Sequence, residues 1–410
     1  MSLASILDIR PGTTGEQIQS ILRSVRRHLA MDVGFVSEFL NGNRVFRFSD
    51  SETYSNPVVV GASDPLDKSF CYYIARGLMP EIMHDARENP VAAQLPVTDA
   101  LPVGAHLSVP LRYDDGTPFG TLCCFSFTPD RTLTTRDLGV LRLCADVVSA
   151  AMQKDRSAAL DLEARRSRIE QVIAAGDLDM VFQPLYRVAD AQLIGFEALS
   201  RFRPEPRRPP DTWFAEAEAV GLGEELKFLA VERALTAFSR LDPTLRLTLN
   251  LSPGAILGPR FASAITEALL HRVVIELTEH AEVPSYEALR SALAPARAKG
   301  LRLAIDDVGA GHATFRHVLD LAPEMIKLDR SLVHGIHTDN ARRALAEALT
   351  MYGRRIGCEV VAEGIETADD YAILQDIGVT RAQGYLLGRP LPLAEAAALP
   401  LRHGTLAARA

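Results

Sequence analysis

The sequence predicts an α/β protein: a C-terminal (β/α)8 TIM-like barrel preceded by a smaller α+β domain, the two joined by a long helix. Three observations carry this. The chain has 410 residues, too many for one ordinary core. From about Asp179, eight short β-rich runs alternate with segments of alanine, leucine and charge. Between about Thr135 and Ala175, apolar residues keep a 3-4 spacing through Leu138, Leu141, Ala145, Val148 and Met152, then resume at Ile169 and Ile173.

Taken in order, residues 1 to about 150 open with an amphipathic helix in GEQIQSILRSVRRHLAM. Two strand-like runs follow, split by the hairpin dipeptide Asn41-Gly42. A second pair, HLSVPLR and PFGTLCCFSF, is joined through Asp115-Gly116. The first half of the long helix is expected to pack on this domain. Its second half, to about residue 175, links to the barrel and is expected to pair with a second copy of the chain.

The barrel runs are MVFQPLY, LIGFEAL, LRLTLNL, RVVIELT, LRLAIDD, EMIKLD, CEVVAEG and the AQGYLLG region. Six acidic or amide side chains close them: Glu197, Asn250, Glu276, Asp306, Asp307 and Glu363. Lys327 belongs to the same series. The strand ends of such a barrel are where chemistry sits. A carboxylate in an apolar flank is costly without a cation, and hard oxygen ligands suit Mg²⁺ or Mn²⁺. Glu197 would be neutralised by a metal or by Arg201. Asp306-Asp307 is the sharpest local signal, because adjacent carboxylates repel unless a cation lies beside them. Glu279 is read as orienting a ligand or a loop. Glu366 is read as a polar contact to substrate or to Lys327, and Gln183 and Gln383 as substrate contacts.

Composition narrows the function. A net charge of −8 argues against broad nucleic-acid binding. No apolar run reaches the ~18 residues that cross a bilayer, and the first residues lack a secretory pattern, so no membrane role and a cytoplasmic location are expected. The five cysteines have no CxxC spacing, which speaks against disulfides or a zinc site. No GxSxG, GxGxxG or GxxxxGK[ST] motif is present. Hard ligands with a lysine suit phosphoester hydrolysis by two metals about 3.5–4 Å apart. Two-carboxylate glycoside hydrolysis stays open on chemistry alone.

From about 165 to 402 the chain resembles an EAL-domain cyclic-di-GMP phosphodiesterase, through FEALSRF, the Asn250 motif, IELTEH, AIDDVGAG, IKLDR, VVAEGIET and AQGYLLGRP. The resemblance implies hydrolysis of cyclic di-GMP to linear pGpG. It implies Glu197, Asn250, Glu276 and Asp306 as ligands of one Mg²⁺ or Mn²⁺. Asp306, Asp307 and Glu363 would hold a second, with Asp306 bridging. Lys327 would position the catalytic water, and Glu279 would steady the loop after Asp307. Gln183, Leu199, Arg201, Glu366 and Gln383 would contact substrate. Val308 and His312 stand where the family usually has aromatics, which touches loop packing and dimer coupling and leaves the ligand set intact. A catalytically inactive cyclic-di-GMP-binding effector is the alternative.

Residues 1 to about 150 resemble a GAF sensor domain, through DKSFCYYIARG, HDARENP and GAHLSVPLRYDDGTPFGTLCCFS. This implies an unknown small ligand or signal, or dimerisation alone. Cys71 is expected to be a buried structural thiol, with a redox or chromophore role as its alternative; His106 and Asp85 are candidate pocket residues. The expected domains are 1–150, a connecting helix 151–175 and the barrel 176–410. A homodimer is expected through the 135–175 helix and the loop after Asp307.

Overall fold

The computed structural model describes residues 13–52, 56–277, 283–308 and 314–403. Two compact units comprise residues 1–161 and 162–410. The helix Thr135–Ala175 runs from one into the other. Among the described residues no helix is long and apolar enough to cross a membrane.

The first unit is a six-stranded antiparallel sheet of β1 (Val33–Leu40), β2 (Asn43–Ser51), β3 (Ser63–Pro65), β4 (Ile82–Met83), β5 (His106–Arg112) and β6 (Pro118–Phe125), ordered β3-β2-β1-β6-β5-β4. Asn41 and Gly42 take φ of 49° and 77° and join Leu40 directly to Asn43, the twist a two-residue hairpin demands. The helix Thr14–His28 and the start of the long helix cover one face, burying Ile18, Leu22 and Val25 with Leu138, Leu141, Ala145 and Val148. The helix Phe70–Ala75 covers the other. Strand alternation sends Cys123 to one core and Cys124 to the other. All five cysteines are buried free thiols. Cys71 Sγ lies 3.4 Å from Arg44 Nη1 and 3.8 Å from Cys123 Sγ. Asp85 caps a short 3-10 turn through the Arg87 amide, which gives it a structural task.

His106 is 2% exposed, its ring centroid 5.2 Å from that of Phe70 in an edge-to-face contact. Burial, then the nearby Arg44 charge, pushes its imidazole down to about 3. A base whose folded value lies below its unfolded value stabilises the fold fully above the unfolded value and less as pH falls. Lowering pH from 6.5 to 5 is therefore expected to remove about 2 kcal/mol from the first unit. His106→Phe should flatten that slope in chemical unfolding of the full chain followed at both pH values; equal slopes would contradict it.

The second unit is a closed barrel of eight strands: β7 (Leu178–Arg187), β8 (Leu193–Phe202), β9 (Arg246–Asn250), β10 (Val273–Leu277), β11 (Arg302–Val308), β12 (Met325–Leu328), β13 (Glu359–Ala362) and β14 (Arg381–Ala382). They pair in sequence and β14 closes onto β7; a short β15 (Leu391–Pro392) lies against β7 as well. β8 through β14 run parallel, while β7 is antiparallel to both neighbours. The reason is local. Only five residues separate β7 from β8, enough for a hairpin but too few for the crossover that parallel strands need. Helices such as Gly223–Phe238, Tyr286–Ala298 and Asn340–Ile356 pack outside the strands. The end of the long helix joins this unit, burying Ile169 and Val172 with Trp213, Phe202 and Leu226. Between its two packed ends, residues 154–164 are exposed.

Alternation divides the barrel lumen into layers. Leu185, Val274, Ala304, Met325 and Val361 form an apolar middle layer. Residues two further along the parallel strands stand at the C-terminal end: Glu276, Asp306, Lys327 and Glu363. Residues two earlier stand at the opposite end, among them Arg302 and Glu359.

Candidate metal centre

Lys327, on β12, is 4% exposed and lies at the centre of the C-terminal layer. Its Nζ forms ion pairs with Glu276 Oε1 and Glu363 Oε1. Glu197 Oε2 and Asp306 Oδ1 each lie 3.6 Å from it. Four carboxyl groups from four strands or strand ends thus face one ammonium. Carboxylate oxygens of Glu276, Asp306 and Glu363 lie within 4.8 Å of one another. Asn250 Nδ2 donates to Glu197 Oε1 over 3.0 Å, and Gln383 Nε2 to Glu197 Oε2 over 2.7 Å. Asn250 and Gln383 therefore hold Glu197 towards the lysine.

The electrostatics follow from burial. Burial, strengthened by Asp306, pushes the Glu276 carboxyl well above the carboxylate range. Burial, opposed by Lys327 and reinforced by Asp306 and Glu197, pushes Glu363 up to about 8. Burial would also raise Asp306, but Lys327 and the Asp307 amide hold it below its usual value. Burial disfavours the Lys327 charge, and the surrounding carboxylates outweigh it, keeping the ammonium charged. One ammonium balances only one of the four carboxylates, and a divalent cation would supply the missing positive charge.

The residues fit a divalent cation. Glu276 is 1% exposed, and its Oε2 is buried with no hydrogen-bond partner among the described residues. A buried carboxylate oxygen without a donor is expensive; a hard cation is the partner such a donor set would take.

A bulge shapes this end. β11 carries an extra residue between Ile305 and Val308 relative to β12, and Asp307 takes φ of 57°, a region Asp tolerates. The Asp307 amide donates to Asp306 Oδ1 over 2.9 Å. Val308 then returns to the outer core, 1% exposed. Glu279 and His312 lie outside the described residues.

The predicted substrate residues divide into groups. Gln183, Glu197, Leu199, Glu363, Glu366 and Gln383 line one cavity of about 270 Å³, with Gln183 Nε2 3.4 Å from Gly388 O. Arg201, Leu199, Asn250 and Glu276 border a second, of about 350 Å³. Arg201 is exposed and donates to Ser200 O over 2.8 Å; among the described residues the cation facing Glu197 is Lys327. Glu366 pairs with Arg330 over 2.7 Å, and Lys327 reaches the other four acids instead. The Gln383-Gly384 turn lies so close to Ile365 that a Cβ at Gly384 would meet its backbone N at 2.2 Å, which fixes glycine there.

The family model of the EAL domain matches residues 166–390, more than half of the chain. The chain belongs to the EAL-domain family. A GAF domain model matches residues 14–153. An uncharacterized signaling protein of Caulobacter vibrioides is 31% identical over 301 residues, covering 72% of this chain and 36% of its own length. The cyclic di-GMP phosphodiesterase NbdA of Pseudomonas aeruginosa is 30% identical over 239 residues, 55% of this chain and 30% of its own. The chain spans about a third of the length of the curated relatives it matches. The PaMucR phosphodiesterase, solved as a c-di-GMP complex, shares the fold with a TM-score of 0.52 at 24% identity, over 57% of this chain and 99% of that one.

Sequence reasoning missed some of what borders the EAL-domain cavities. Arg330 and Tyr385 line the smaller one, and Phe214 and Lys227 the larger. Arg330 sits in IKLDR, three residues after Lys327, where it reads as an ordinary helix-start charge. Phe214 and Lys227 lie on helices, where an aromatic and a lysine carry no signal of a site.

Proposed function

We propose that this chain hydrolyses one phosphodiester bond of cyclic di-GMP to give linear pGpG, using Mg²⁺ or Mn²⁺ at the C-terminal end of the barrel. The observation that carries the reading is the excess of buried acid around Lys327, with an unpartnered Glu276 oxygen, in a chain of the EAL family. Glu197, Asn250, Glu276, Asp306, Asp307 and Glu363 are the proposed ligands. Cations bound there would polarise the phosphate and lower the pKa of a water.

The chain's own groups do the rest. Lys327 holds its charge and orients the attacking water towards phosphorus. Asn250 and Gln383 fix the Glu197 carboxylate so that it does not swing into the substrate cavity. Gln183, Leu199, Arg201, Glu366 and Gln383 contact the nucleotide, and Glu279 steadies the loop after Asp307. Hydrolysis adds one water across a P–O bond, leaving a terminal phosphate and a free hydroxyl. The proposed domains are a GAF sensor over 1–150, a connecting helix over 151–175 and the EAL domain over 176–410. An unknown ligand on the sensor biases the rate through the helix, in a homodimer that pairs through the 135–175 helix and the loop after Asp307.

The test is incubation of the purified chain with cyclic di-GMP and Mg²⁺, with pGpG quantified by chromatography. Product is expected from the chain and background from Glu197→Ala. Tight binding with no product above that background would replace the enzyme with a binding effector.

A further inference from the structure

The N-terminal end of the barrel lumen, opposite the metal centre, carries a second charged layer of the other sign. Arg246, Arg302 and Glu359 open β9, β11 and β13, and Arg381 opens β14. Arg302 and Glu359 stand two residues before Ala304 and Val361 of the apolar middle layer, so alternation points them into the lumen. Contacts agree. Arg302 Nη1 lies 3.1 Å and Arg381 Nη2 2.5 Å from the same oxygen, Glu359 Oε2. β12 separates β11 from β13, so the Arg302–Glu359 pair bridges over β12 on the inner face.

The charges do not balance. Among the described residues of this cluster, three guanidinium groups face one carboxylate. Glu324, another acid at that end, is engaged by Arg297 at 2.6 Å and by the Leu303 amide at 2.7 Å. Arg246 Nη1 is buried with no hydrogen-bond partner among the described residues. Burial, then the like charges of Arg302 and Arg381, lowers the Arg246 pKa. The layer faces solvent at its rim, where the Arg302 and Glu359 side chains are 32% and 37% exposed.

We propose that this mouth of the barrel binds a phosphate-class oxyanion, either free phosphate or the terminal group of a small phosphomonoester, with Arg246 as its principal donor. An oxyanion there accepts from the unpaired Arg246 nitrogen and offsets the surplus guanidinium charge, as planar forked donors do with phosphate. The apolar middle layer separates this site from the metal centre, so the two are occupied independently. The proposal stands whether or not the chain hydrolyses cyclic di-GMP.

The experiment is thermal unfolding and titration calorimetry of the full chain in EDTA, where the acidic end repels anions. Inorganic phosphate and guanosine 5′-monophosphate are titrated separately, against chloride at equal ionic strength. A saturable rise in melting temperature with either probe is expected, its apparent dissociation constant weakened about tenfold in Arg246→Gln by loss of one charge-assisted hydrogen bond. No rise beyond chloride with either probe overturns the site, and so does an unchanged constant in Arg246→Gln. Should that variant fail to fold, Arg302→Gln decides by the same criterion.

Discussion

Lys327→Met is expected to lower turnover of cyclic di-GMP by ~10²–10⁴-fold, the usual contribution of a side chain positioned on the reacting proton or oxygen. Methionine fills much of the lysine's volume and leaves the β12 backbone intact, so the loss reports on charge. The stability effect depends on conditions. In EDTA the variant leaves four acids facing one another without the ammonium that Glu276, Glu363, Glu197 and Asp306 now share. Removing one partner from a buried ion cluster costs about 3–5 kcal/mol, lessened here because Glu276 and Glu363 take up protons readily. With Mg²⁺ present, part of that cost should be recovered. Rate assays and urea unfolding, each with and without cation, check both parts. Turnover within threefold of the unchanged chain would remove Lys327 from the reaction.

Withdrawal of divalent cations should lower the unfolding temperature of the EAL unit by ~5–10 °C. A ligand present at a hundred times its dissociation constant stabilises the folded state by about 2.7 kcal/mol, and each kcal/mol moves the midpoint of a domain this size by about 2–4 °C. The effect comes from acids brought together by folding: in the unfolded chain Glu276 and Glu363 lie far apart and chelate nothing. Scanning calorimetry in EDTA, Mg²⁺ and Mn²⁺ measures it, and Glu276→Gln should abolish most of the shift. Equal midpoints in all three conditions would mean that the acids hold no cation.

The strands and their closing residues were legible because a charge inside an apolar strand has few purely structural explanations. Glu276 in VVIEL and Lys327 in MIKL are the clearest cases, and the fold buries both. The antiparallel β7 was legible in principle. MVFQPLY and LIGFEAL have no helical segment between them, and the expectation of eight equal units passed over that spacing. The partner of Glu366 was not legible, since pairing with Arg330 instead of Lys327 depends on where the chain turns after β12 and β13. The second charged layer was missed for a related reason. Arg246, Arg302 and Arg381 stand at strand beginnings, where a charge reads as a solvated boundary. Only barrel closure turns them inward together.

Diffraction shows whether distant carboxylates converge to chelate divalent cations. Crystals of the full chain grown with Mn²⁺ and a non-hydrolysable cyclic di-GMP analogue would be recorded at a wavelength where manganese scatters anomalously. Anomalous peaks are expected among the oxygens of Glu276, Asp306 and Glu363, with the scissile phosphate against them. A well-ordered map with these side chains in place and no peak between them would mean that the carboxylates hold no cation.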